Sequence, residues 1–196
     1  MSGSGRLARA LAAIDAANAE DPRRVPVAGG ERPKELVQAE RVGQWLARLR
    51  PEASEALRLA ARAHHLRRWE IPRDRYPAGR RGYHRWRLAL QEHHAAWVGR
   101  ILAAEGYEAG EVARVQDLVR KRGLGSDPEV QALEDALCLV FLETELAALA
   151  ARLEPTRLVE VLRRTLAKMS PRAVGEARAL ALPADAREWL RRAAAE

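Results

Sequence analysis

Residues 130–153 read VQALEDALCLVFLETELAALAARL, and the run from Ala136 to Leu142 inside this stretch is apolar on every side. A helix with no polar face has nowhere to meet water, so this one is expected inside the domain. Ser126, Asp127, Pro128 and Glu129 precede it as a start signal, with Glu129 spaced to complete a capping box with Ser126. Glu134 and Asp135 stand at the entrance of the apolar run and Glu143 leaves it. A carboxylate on a buried helix must be paired, protonated or coordinating. Taken alone, the helix fits a buried salt bridge to an arginine as well as it fits a metal site.

A buried helix needs others around it, and the rest of the chain supplies them. Hydrophobic residues are 47% of the 196 and lean on Ala and Leu, with few β-branched residues, which favours helix throughout. Apolar periodicity and caps mark helices at about 6–18, 33–49, 54–69, 80–105, 110–122, 129–153 and 155–169, with a last amphipathic helix through Trp189. The fold class expected is all-α, a single-domain bundle of about seven to eight helices. An N-terminal helix and loop would fill 1–33, a site-bearing core 34–152 and C-terminal helices 153–196. The segment 22–33, with Pro22, Pro26, Gly29, Gly30 and Pro33, reads as a loop with little regular structure.

Chemistry concentrates elsewhere. From Arg67 to Arg87 the chain carries eight arginines against two acids, net +6, where the whole chain has +7. Trp69, Tyr76, Tyr83 and Trp86 crowd between those arginines. Charge so concentrated points to an anionic target, because arginines serving solubility alone would be interspersed with acids. Arg68, Arg73, Arg81 and Arg87 are candidates to grip phosphate, where the forked guanidinium outperforms Lys. Trp69, Tyr76 and Tyr83 are candidates to stack on a base. Lys121, in a basic helix end, and Lys168, in the turn Lys168-Met169-Ser170-Pro171-Arg172, are secondary phosphate candidates beside their ordinary roles in capping and turns.

Histidines and acids fall at intervals around this loop. His64 and His65 lie to either side of the buried face marked by Leu59, Ala63 and Leu66, and periodicity does not choose between them. In the fourth helix Tyr83, Arg87, Leu90, His94, Trp97 and Ile101 alternate spacings of four and three, the seam of a helix packed along its length. Arg87 and His94 therefore need partners, since burying a polar group unpaired costs on the order of 1–3 kcal/mol. His93 projects about 100° away and reads as solvated. In the second helix Leu36, Ala39, Gly43 and Ala47 form a stripe of mostly small residues. Glu40 beside it reads as a surface ion pair or as a carboxylate aimed into a helix junction.

Cys138 is the single cysteine, so no disulfide forms within the chain, and a reducing cytoplasm is the expected compartment. No stretch approaches the roughly 20 apolar residues of a membrane span, and the N-terminus has no signal-peptide core. A P-loop, a GxGxxG and a CxxC zinc spacing are all lacking.

The order Glu40, His64-His65, His94 and Glu134-Asp135 along successive helices resembles the HD superfamily of metal-dependent phosphohydrolases. RRWEIPRDRYP, GYHRWR, LEDALCLVFLE and KMSPR, spread over nearly the whole chain, more specifically resemble the family called DUF4202. The HD resemblance implies an all-α fold and a divalent ion (Mn, Fe, Mg or Zn) held by Glu40, His65, His94 and Asp135, with His64 as an alternative. The DUF4202 likeness favours His65, since the first position of the doublet is often Gln in that family. Glu40 would stand where the superfamily has its leading His, and His65 where it has Asp, which alters site charge and metal preference. The expectation is a hydrolase of a nucleotide or small phosphorylated metabolite. The metal would activate water, and Glu134 would orient that water or act as base, beside Asp135. The alternative is a non-catalytic module that binds a nucleotide or RNA through the Arg/aromatic loop 67–87. A helical scaffold whose arginines meet an acidic protein surface is a third reading. The oligomeric state is left open by the sequence.

Overall fold

The computed structural model describes residues 3–195. Its helices are α1 (Gly3–Ala19), α2 (Lys34–Leu49), α3 (Glu55–Ala63), α4 (Gly79–Ala104), α5 (Ala109–Arg120) and α6 (Pro128–Thr144). They continue as α7 (Leu146–Ala150), α8 (Pro155–Leu166), α9 (Pro171–Arg178) and α10 (Ala184–Ala195). The fold is an all-α single domain around one hydrophobic core. No helix among the described residues is long and apolar enough to cross a membrane.

The hub is α6. Ala136, Leu139 and Leu142 are fully buried, and the helix packs against α2, α3, α5, α7 and α9. Its cap differs from the expected capping box. Asp127 is the N-cap, and its carboxylate accepts from the backbone N–H groups of Glu129 and Val130, while Ser126 Oγ donates to the Gly123 carbonyl. Pro128 explains the shift. Proline suits the first helical position because it has no N–H to leave unsatisfied, which makes the preceding residue the cap.

The helices exceed the expected seven to eight because two long segments divide. The run 130–153 breaks at Glu145, whose φ is −114° and whose carboxylate accepts from Lys34 Nζ at 2.7 Å. The last segment divides before Pro183, which cannot continue a helix through its missing N–H.

Residues 22–33 are not an irregular loop. Arg24–Val27 (β1) and Gly30–Pro33 (β2) pair antiparallel with Val27 opposite Gly30, joined through Ala28 and Gly29. Gly29 and Gly30 take φ of 90° and 141°, the region where an L side chain is strained. A two-stranded ribbon has only edges, so its prolines cost no interior ladder bond. The buried Asp21 ties the ribbon to α2, accepting from the N–H groups of Arg23 and Glu35.

Two further departures set up the site. The third helix ends at Ala63, not Trp69. Arg67 takes φ 54°, and short 3-10 turns follow at Arg68–Glu70 and Arg73–Arg75. On α2 the buried face is Glu35, Ala39, Val42, Leu46 and Leu49, whereas Ala47 is exposed. Gly43 and Ala47 line an open groove of about 590 Å³ instead of a close helix junction. Close approach occurs at Gly99 of α4, where a Cβ would lie 2.4 Å from Gln116 Nε2 of α5.

Candidate functional site

A small cleft of about 30 Å³ opens where the end of α3, the following turn, the middle of α4 and the end of α5 meet beside α6. His64, His65, Arg68, Arg87, Gln91, His94 and Lys121 give it its polar lining, and Leu90, Val119 and Leu137 its apolar lining. The α4 seam delivers Arg87, Leu90 and His94, which lie on one face by their spacing of three and four. The early end of α3 turns His64, His65 and Arg68 into the same space.

Each of the three histidines has a fixed tautomer. The ring Nδ1–H of His64 donates to the Ala61 carbonyl at 2.9 Å, and that of His94 to the Leu66 carbonyl at 2.8 Å. His65 Nδ1 lies 3.0 Å from Glu35 Oε2, and the same carboxylate accepts from Arg23 at 2.5 Å. A carbonyl or a carboxylate only accepts here, so Nδ1 carries the proton and Nε2 the lone pair in all three rings. His94 Nε2 is buried, with no hydrogen-bond partner among the described residues. Burial holds His94 neutral, with its pKa down at about 3. Burial also lowers His64 and His65 well below the ordinary histidine value, aided by His65 for the first and by Arg68 for the second.

The cations divide into paired and unpaired. Lys121, in left-handed conformation just beyond α5, reaches Glu134 of α6, which is 4% exposed. Burial lowers the Lys121 pKa against the raising effect of Glu134. Burial likewise opposes ionisation of Glu134, but Lys121 outweighs it, and the carboxyl stays below its usual range. Arg68 and Arg87 are different. Among the described residues neither has a carboxylate within ion-pair reach, and Arg68 lies 4.8 Å from the Trp86 ring centroid. Burial lowers the Arg68 pKa, Glu35 raises it and the charge of Arg87 lowers it again.

The four-ligand centre expected from the sequence is not assembled. Glu40 accepts two bonds from Arg32, at 2.6 and 2.8 Å, and borders the separate groove on α2. Asp135 accepts from the Ser170 N–H at 2.8 Å, Ser170 Oγ at 2.6 Å and Gln131 at 2.9 Å. It thereby anchors the start of α9. Glu134 is engaged by Lys121. Of the expected ligands only His65 and His94, with His64 as the alternative, meet. Their rings are 5.9 Å apart between centroids for His65–His94 and 4.1 Å for His64–His65. Among the described residues no group of three or more His, Cys, Asp or Glu is arranged to hold a metal ion. Arginine and lysine around the three lone pairs add electrostatic opposition to a cation.

The phosphate candidates also sort themselves. Arg68, Arg87 and Lys121 reach the cleft. Arg73 instead closes its own loop, donating to the Tyr76 and Pro77 carbonyls. Arg81 is exposed at the start of α4, and Lys168 is exposed 3.8 Å from Glu134. Trp69 packs near Arg67, and Tyr76 is half-buried in the loop. Tyr83 is 49% exposed, its ring 5.7 Å from that of Trp86, whose indole N–H donates to the Ile71 carbonyl. His93, expected in solvent, is half-buried with Nε2 3.1 Å from Glu70. Cys138 is buried beside Glu134, and burial pushes its thiol up to about 12, far from a nucleophile's range.

Sequence reasoning missed Glu35 and Gln91. Glu35 carried a usable signal: 35, 39, 42, 46 and 49 alternate four and three, the same seam pattern that exposed His94 on α4.

No curated protein and no solved structure gives a match to this chain. Residues 8–190 match the family described as a domain of unknown function (DUF4202), and the chain belongs to that family.

Proposed function

We propose that the cleft binds the phosphate of a nucleotide or small phosphorylated metabolite. The observation that carries this reading is the pair Arg68 and Arg87, half-buried at one cleft and without a carboxylate partner among the described residues. Several other half-buried guanidinium groups meet carboxylates, Arg62 with Asp15, Arg67 with Glu70 and Glu20, and Arg114 with Asp127 and Glu129, while Arg73 is spent on backbone carbonyls of its own loop. Two partly desolvated like charges repel, and an oxyanion accepting from both forks relieves that repulsion. Tyr83 stands one helical turn before Arg87, about 6 Å along the axis, which suits a base stacked outside while the phosphate sits within.

Titration calorimetry with inorganic phosphate and with adenosine monophosphate tests the reading. Arg68→Gln and Arg87→Gln should each weaken binding about tenfold or more, as expected for a lost charge-assisted hydrogen bond of roughly 1.5–3 kcal/mol. Unchanged affinity in both variants would remove the cleft as the binding site.

Hydrolysis of the bound phosphate is a second reading, favoured by the Glu35–His65 pair. Glu35 orients His65 through Nδ1, leaving Nε2 free to take a proton from water, the arrangement of an oriented general base. Phosphate release by wild-type protein, abolished in His65→Ala with ligand binding retained, is its test.

A further inference from the structure

We infer that the cleft selects an oxyanion that itself carries a hydroxyl hydrogen, so that protonated phosphate or a phosphomonoester monoanion binds and sulfate does not. This rests on the proposed phosphate site and adds to it which protonation state is recognised. Apart from Gln91, which can donate or accept, the polar lining of the cleft is of two opposite hydrogen-bond kinds. Arg68, Arg87 and Lys121 offer only donors, which match oxyanion oxygens. His64, His65 and His94 offer only Nε2 lone pairs, because each Nδ1–H is spent on Ala61, Glu35 or Leu66.

The lone pair on His94 is the sharpest of the three, being buried and unpartnered among the described residues. A fully deprotonated oxyanion would set its own lone pairs against that nitrogen. A P–O–H group donates to it and leaves the remaining oxygens for the arginines. Discrimination by hydrogen-bond sense is strong, because the wrong ligand leaves a buried polar group unpaired.

The charged and titratable groups around His94 come from several elements. Arg68 and His64 come from the turn after α3, Arg87 and His93 from α4, and Lys121 from the end of α5, backed by Glu134 of α6. Glu35 of α2 stands behind His65. The cleft histidines are held neutral from neutrality well into acid. Lys121 is the group brought down from the alkaline side, and its loss would weaken every anion alike.

The experiment is calorimetric titration of the full chain with inorganic phosphate and with sulfate between pH 5.5 and 8.5 in a non-coordinating buffer. The expected result is phosphate tighter than sulfate by about tenfold or more at the acid end, despite the larger charge of sulfate. That preference should persist to pH 8.5, because the dianion of inorganic phosphate still carries one hydroxyl hydrogen. Binding of adenosine monophosphate, titrated alongside, should instead weaken as its phosphate loses its only hydroxyl hydrogen at about pH 6. Sulfate binding stays flat until any alkaline loss shared by all three. His94→Phe should erase the preference. If that variant fails to fold, the wild-type profile decides alone. Equal affinities across the range, or tighter sulfate, would overturn the selectivity while leaving an anion site in place. Binding of neither ion would overturn the site and the selectivity with it.

Discussion

Replacing Glu134 by Gln separates a charge that holds the fold from one that performs chemistry. Glu134 is 4% exposed and meets Lys121 Nζ, with Lys168 Nζ at 3.8 Å. Removing one member of a buried ion pair costs about 3–5 kcal/mol because the other charge is left uncompensated. Two features soften this in Glu134→Gln. The amide oxygen still accepts from Lys121, and burial already inclines that lysine to lose its proton. The expected loss is therefore about 2–4 kcal/mol in urea denaturation, or roughly 5–15 °C in melting temperature for a chain of this size. Below the pH at which Lys121 gives up its proton, phosphate affinity should hold or rise, because a negative charge near the arginines has gone. The pH dependence has a sign as well. The Glu134 pKa is depressed in the folded state, so its contribution is present above the unfolded carboxylate value and is lost as pH falls through the folded one. The acid limb of the stability curve should accordingly be shallower in the variant. A variant as stable as wild type that has lost phosphate binding would refute the reasoning, since Glu134 would then be serving the ligand and not Lys121.

Asp135→Ala removes the acceptor for Ser170 N–H and Ser170 Oγ, and should cost about 2–4 kcal/mol, with hydrogen exchange quickening first at the start of α9. Its phosphate affinity should stay within a factor of two or so of wild type, whereas a metal ligand or catalytic group would take binding or turnover with it. Tyr83→Ala should weaken adenosine monophosphate by about fivefold or more and leave inorganic phosphate unchanged, as a stacked base contributes roughly 1–3 kcal/mol. Global stability should decline as pH drops below about 6.5, the ordinary histidine value, because the unfolded chain takes up protons that His64, His65 and His94 refuse in the folded state. Denaturant midpoints from pH 7 to pH 4 measure this, and a flat profile would mean that the histidines are not held neutral.

The fold was legible because its signals are local and repeated. An all-round apolar helix can only be central, and the four-three alternation of α4 named a buried face that the structure keeps from Leu90 to His94. The ribbon at 24–33 was not legible, since its glycines and prolines punctuate a hairpin as readily as a loop. The end of the third helix was read nearly two turns too far, because nothing in the sequence announced the left-handed residue at Arg67. Candidate site residues fared according to what competes for them. His65, His94, Arg68, Arg87 and Lys121 converge because they sit on faces that packing turns inward. Glu40 and Asp135 were plausible ligands by order along the chain, but order does not say which oxygen another residue has already claimed. Arg32 takes the first and Ser170 the second.

Glu35 shows how the same evidence could have gone further. It occupies the first position of the α2 seam, as His94 occupies a middle position of the α4 seam, and both are buried polar residues in apolar lines. The two differ in what satisfies them. Glu35 is met from within the protein by Arg23, His65 and a backbone anchored through Asp21. His94 is met only at Nδ1 and keeps Nε2 bare. A seam therefore finds buried polar residues without saying which are structural, and an inventory of their unused lone pairs and protons makes that division. Among the described residues Asn18 Oδ1 is a second bare buried acceptor, but at the cleft the inventory leaves His94 Nε2 beside two arginines without a carboxylate, and a ligand that supplies one hydroxyl and several anionic oxygens completes all three.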